Sequence, residues 1–162
     1  QVFEKEVFEQ ESIDAKSKRI EKMSVSEQQA EKSLNKKDKE INQKEFKNPE
    51  GDTTQGQVDA YNKSKQILNY FARTFFSNKA KKAKQGDSTK LGHANRLAEY
   101  LAKEGKSFFE MTDADFADFI KKNSTVSQDS ASSIIRGLAE IASLNRGQAS
   151  KLFSEIKNFY LK

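Results

Sequence analysis

Apolar side chains are spaced differently in the two halves of this chain. From Ile67 onward they recur at helical intervals: Ile67, Leu68, Phe71 and Phe75, then Leu91, Ala94, Leu97, Ala98 and Leu101. The same period runs through Phe116, Phe119 and Ile120, through Ile134, Ile135, Leu138 and Ile141, and through Leu152, Phe153, Ile156, Phe159 and Tyr160. Each set is an i, i+3, i+4, i+7 stripe, the mark of a helix with one buried face. Before residue 48 the pattern thins to a seven-residue repeat of Ile13, Ile20, Leu34 and Ile41, interrupted at Glu27. Three positions on from that repeat stand Met23 and Ala30, mixed with Lys16, Lys37 and Lys44. Such a seam suits a loose coiled coil, or a helix laid along its own domain.

Punctuation divides the pattern. Asn48-Pro49-Glu50-Gly51-Asp52-Thr53-Thr54-Gln55-Gly56-Gln57 holds the only proline and two of the seven glycines among polar residues, which predicts a loop or linker over 48–57. A connecting helix is expected over 58–86, with lysines in its last turn and Gly86 as its stop. A module of four short helices follows over 87–162. Asp87 or Ser88 is expected to cap the first, and Gly105 to end it. Thr112-x-x-Asp115 approximates a capping box for the second, and Ser127 or Asp129 caps the third. The expected architecture is all-α: a long charged N-terminal helix over 1–47, weakly coiled-coil-like, and a compact C-terminal four-helix module.

Composition narrows this further. Hydrophobic residues are 35% and charged residues 33%, so one core cannot use the whole chain evenly. Residues 67–162 contain nine of the twelve Phe, and a core of ordinary size is expected there. The absence of Cys removes disulfides, thiol catalysis and thiolate metal sites. It fits a cytoplasmic protein, although a secreted protein without disulfides has the same composition. No apolar run approaches the ~18 residues of a membrane span.

Catalytic candidates are scarce. His93 is the only histidine, with no spaced carboxylate or second histidine to make a metal site or a general base. Asp113, Asp115 and Asp118 read as the acidic start of a helix rather than a cation site. No phosphate-loop or dinucleotide fingerprint is present. The expectation is a protein without catalytic residues, cofactor or metal.

Charge suggests a partner instead. The net charge is +5, its excess falls at the joint before the last module, and Lys79, Lys81, Lys82, Lys84, Lys90 and Arg96 cluster around the start of that module. Lys82, Lys84, Lys90, Arg96, Lys151 and Lys157 are the expected phosphate contacts, since such side chains neutralise backbone charge on duplex DNA. A charge run of this kind is also what a plain solvated connector would show. Ile13, Ile20, Leu34 and Ile41 are the expected contacts to a second copy or a protein partner.

One order of residues adds to this. Ser88-Thr89, Arg96-Leu97-Ala98-Glu99-Tyr100-Leu101, Gly105-Lys106, Thr112-Asp113-Ala114-Asp115-Phe116 and Phe119-Ile120 together resemble the core-binding, SAM-like domain of tyrosine recombinases and phage integrases. The resemblance covers residues 87–162. It implies a module that clamps one face of duplex DNA, with the family's catalytic Arg, His and Tyr on a separate domain, so Tyr160 is not assigned as a nucleophile. The expected function is therefore a non-catalytic DNA-binding module of a mobile-element, phage or plasmid protein, its arm serving self-association. The competing expectation is a helical scaffold, adaptor or surface interaction protein that binds another protein through the arm.

Overall fold

The computed structural model describes residues 24–76, 83–123 and 125–141, and all regular structure among them is helical. Five α-helices follow one another: α1 Val25–Gln43, α2 Gln55–Tyr70, α3 Asp87–Ala102, α4 Asp113–Lys122 and α5 Gln128–Ile141. A π-turn, Phe71–Phe75, extends α2, and a 3-10 turn, Phe108–Glu110, precedes α4.

The helix expected over 1–47 has a start inside it. Ser24 is extended, its hydroxyl accepts from the Glu27 N–H at 3.2 Å, and the Glu27 carboxylate accepts from the Ser24 N–H at 2.9 Å. This reciprocal pair satisfies two donors that a helix start leaves open, so α1 begins at Val25. At its other end, the Lys65 ammonium of α2 donates to Asn42 O and Lys44 O at 3.1 and 2.8 Å. These are carbonyls that the helix itself leaves unpaired.

Leu34 and Ile41 are 1% and 3% exposed and belong to the same apolar core as α2 to α5. Their assignment as partner contacts is therefore corrected: these two stripe positions meet the chain's own body, which removes their apolar surface from water. Ile13 and Ile20 lie outside the described residues.

The 48–57 stretch is a closed loop rather than a loose linker. The Asn48 N–H donates to Thr53 Oγ1 at 2.9 Å, and the Asn48 amide donates to Asp52 O at 3.1 Å. Phe46, just before it, is buried with its ring centroid 5.9 Å from that of Tyr61. Helix α2 then opens at Thr54, in a second capping box with Gln57.

Three helices make the frame. The Lys37 stem lies over Gly92, and Lys44 pairs with Glu99, so α1 and α3 run parallel. Tyr61 meets Asn95, and the Gln57 amide donates to Lys103 O, so α2 runs antiparallel to α3. Helix α3 is covered nearly all round: Leu91, Ala94, Leu97, Ala98, Leu101 and Ala102 are fully buried, and His93 and Asn95 nearly so. A helix with so wide a buried arc belongs in a core, with the Gly92, Arg96, Glu99 and Lys103 side left open. Gly86, with φ 93°, is its N-cap rather than the stop of the preceding helix, and the Asp87 carboxylate accepts from the Lys84 N–H at 2.8 Å. Gly105, with φ 72°, closes the other end, as expected. The Lys106 N–H reaches back to Leu101 O at 3.1 Å, a turn that needs a left-handed residue.

Thr112 and Asp115 form the expected capping box of α4, and the Ser127 hydroxyl accepts from the Ser130 N–H at 3.1 Å to start α5. Ser107 caps the 3-10 turn, whose Phe108 N–H donates to the buried Ser64 hydroxyl at 3.1 Å. The π-turn places Phe71 and Phe76 in the core, 5.1 Å apart between centroids. Helix α5 crosses Phe71 at Gly137, where an added Cβ would stand 2.5 Å from Phe71 Cε1.

Two glycines in helices should therefore respond oppositely to alanine. Gly137→Ala should lower stability by about 1–3 kcal/mol, because a buried ring has to move. Gly92→Ala meets only the flexible Lys37 stem at 3.9 Å and should gain up to about 1 kcal/mol from helix propensity. Denaturant unfolding of both variants checks the pair; equal signs would contradict the close crossing.

Candidate nucleic-acid interface

Three separated segments meet at one concavity of about 350 Å³. The α1–α2 loop contributes Phe46, Lys47 and Pro49; α3 and its C-cap contribute Arg96, Glu99, Tyr100 and Lys103; α4 and its C-cap contribute Phe119 and Asn123. Helical spacing explains the α3 set, since residues 92, 96, 99 and 103 form one stripe along a helix. Capping fixes α4 from Thr112, and the closed Asn48 loop holds Lys47 and Pro49 beside them.

The floor is apolar, with Phe46 and Phe119 buried. Tyr100 is half-buried, its ring 5.8 Å from that of Phe119, and its hydroxyl donates to the Asp118 carboxylate. Burial raises the Tyr100 pKa, and the Asp118 hydrogen bond and charge push it the same way, so the phenol stays neutral and is no nucleophile near neutral pH. Asn123 gives its amide N–H to Phe119 O at 2.9 Å.

The rim is cationic. Lys103 pairs with the exposed Glu50 at 3.0 Å and lies 5.7 Å over the Tyr100 ring. The single lining carboxylate, Glu99, is held by Lys44 at 2.8 Å. Arg96 and Lys47 are exposed and have no ion-pair partner among the described residues. With Lys37 over Gly92, the cations follow α3 for eleven residues, about 16 Å at 1.5 Å per residue.

Of the three expected phosphate contacts that are described, Lys84, Lys90 and Arg96, only Arg96 lines this concavity. Lys84 is exposed at the far end of α3. Lys90 pairs with Asp129 of α5 at 3.1 Å and stands about 120° around the helix from Arg96 at ~100° per residue. These three do not form one surface, which corrects the expected cluster. Lys82, Lys151 and Lys157 lie outside the described residues, as do Lys79 and Lys81. Lys37, Lys44, Lys47 and Lys103 were missed because they are scattered among acidic residues. Only the fold brings Lys47 beside Arg96.

His93 is 6% exposed, and its Nδ1 has no hydrogen-bond partner. Burial, with the Arg96 charge second, lowers its pKa and keeps the imidazole neutral. Among the described residues no group of three or more His, Cys, Asp or Glu is arranged to hold a metal ion. No described helix is long and apolar enough to cross a membrane.

A second charged pair lies inside the frame, between α1 and the π-turn. Asp38 Oδ2 stands 3.6 Å from the Arg73 guanidinium, and Oδ1 is buried without a partner. Arg73 is also anchored by its Nε–H to Asn69 Oδ1 at 3.0 Å. Burial pushes the Asp38 carboxyl up to about 6, against the opposing pull of Arg73.

The chain matches no family model, and neither the curated proteins nor the solved structures contain a match to it. The concavity and its charges are thus the basis for a functional reading.

The Asp38 shift has a definite sign. A carboxyl that holds its proton more tightly when folded gives the folded state extra protons between pH 3.8 and about 6, so its contribution to stability grows as pH falls through that window. Denaturant unfolding of wild type and Asp38→Asn should show a difference that shifts toward wild type as pH falls from about 6 to 3.8. Parallel pH curves for the two proteins would contradict the buried carboxyl.

Proposed function

We propose that this protein is a non-catalytic helical module that binds duplex DNA through backbone phosphates, using the cationic rim along α3 and the adjoining α1–α2 loop. The observation that carries the reading is the position of Arg96 and Lys47: both border the concavity and neither has an ion-pair partner among the described residues. Cations left without a carboxylate are available to release counterions from phosphate. The 16 Å rim matches about five base-pair steps at ~3.4 Å each, and Lys103 and Lys37 extend it through contacts to exposed Glu50 and Glu40, which phosphate can displace. The resemblance of residues 87–162 to the recombinase core-binding domain is in keeping with such a clamp, and with origin in a mobile-element, phage or plasmid protein. The scaffold reading has lost Leu34 and Ile41 from its contact surface.

Fluorescence anisotropy with a labelled 20-base-pair duplex (a length of roughly two helical turns) tests it. Affinity should fall steeply with salt, with a log–log slope of about −3.6 for the four cations Arg96, Lys47, Lys103 and Lys37 at ~0.9 each. Arg96→Gln and Lys47→Gln should each flatten the slope by about one and weaken all sequences alike. Lys90→Gln, on another face and paired, should leave the slope unchanged. Binding that is absent at low salt, or insensitive to Arg96 and Lys47, would overturn the reading.

A further inference from the structure

The rim accounts for contact with phosphates but leaves the concavity itself unused. A continuous duplex presents a convex, rigid backbone, so it lies across the mouth and cannot enter. The space, about 350 Å³, falls at the small end of ligand pockets, and its lining is graded. Phe46 and Phe119 form a buried aromatic floor, and Pro49 and Tyr100 stand above it. Arg96 and Lys47 border the same lining without ion-pair partners among the described residues. Asn123 spends its amide N–H on Phe119 O and keeps its oxygen as an acceptor.

We infer that the concavity receives one unpaired nucleotide next to the bound duplex, its base against exposed Pro49 and half-buried Tyr100 over the buried Phe46 and Phe119, and its phosphate on Arg96 and Lys47. An unpaired base offers what the lining asks for: a flat apolar face, edge N–H donors for the Asn123 oxygen, and an anion at a fixed distance from the ring. Aromatic and proline surfaces accept any base by its face, so the preference is for unpaired structure and not for sequence. An acidic peptide would match the rim charge, but its carboxylates sit on flexible stems and give the floor no planar group. The inference rests on the DNA reading above and deepens it: the module prefers duplexes that end in, or are interrupted by, a single-stranded nucleotide.

Three labelled probes separate the possibilities: a blunt duplex, the same duplex with a two-nucleotide overhang, and one whose overhang is abasic. The abasic overhang keeps the phosphates and removes only the bases. The overhang should bind about tenfold tighter than its abasic counterpart. Pro49→Ala should shrink that ratio, which is read within the variant so that any change in its blunt-duplex affinity or stability cancels. Asn123→Ala, which leaves the aromatic floor in place, should reduce it by a smaller factor. Equal binding of base-bearing and abasic overhangs overturns the inference and leaves the DNA reading standing. Binding to none of the three probes overturns both, as does capture of an Asp/Glu-rich peptide bearing one Phe in place of every oligonucleotide.

Discussion

The structure depends on keeping α3 in the dry centre while still satisfying its polar side chains. Helix α3 has buried apolar residues on several faces, and among them it carries Asn95, 7% exposed. An unpaired amide there would cost about 1–3 kcal/mol. The Tyr61 hydroxyl answers it, donating to Asn95 Oδ1 at 2.6 Å from a ring that is itself fully buried. That bond fixes the register of α2 against α3. The Asn95 amide nitrogen donates to Glu99 Oε1 at 3.4 Å, and Glu99 in turn holds Lys44 at the end of α1. One chain of polar contacts therefore sets three helices relative to one another. Burial raises the Tyr61 pKa, and the nearby Glu99 charge adds to it, so the phenol remains a donor.

From this frame the role of the N-terminal helix follows. A free arm would leave Leu34, Ile41 and the core residues they cover in water at roughly 25 cal/mol per Å². Docking removes both surfaces at once. Lys65 then closes the α1 C-terminus, and its aliphatic stem brings the ammonium to 5.5 Å over the Tyr61 ring. The same docking delivers Phe46, Lys47 and Pro49 to the end of α3, so the concavity is a by-product of how the arm is packed. Asp38 and Arg73 mark the less comfortable side of that interface, where a charge pair is buried with one carboxylate oxygen unsatisfied. Desolvation offsets much of the attraction in a pair of this kind, so it contributes little net stability.

How much was legible in the sequence follows the range of each interaction. The caps at Thr112 and Ser127 and the turn at Gly105 depend on residues three to five apart, and they stand where the spacing predicts. The boxes at Ser24…Glu27 and Ser107…Glu110 are equally local. The first was masked by the heptad running through it, and the second starts a turn too short to show a period. Periodicity correctly marked Leu34 and Ile41 as apolar stripe positions, but a stripe does not say what covers it. The π-turn was read as ordinary helix because one extra residue barely disturbs the Phe71, Phe75 and Phe76 spacing. The concavity was illegible for a plainer reason: Lys47, Arg96 and Asn123 are each separated by more than twenty-five residues, and no local rule links them.

Because α1 and α3 share one core, they should unfold as one unit. Hydrogen exchange on wild type and Leu34→Ala tests this most directly. A truncation of this size in a packed core costs about 2–5 kcal/mol. The account predicts that protection falls by a common amount across the slowest amides of α1, α2 and α3. Loss of protection confined to α1, with α3 amides as slow as in wild type, would contradict it.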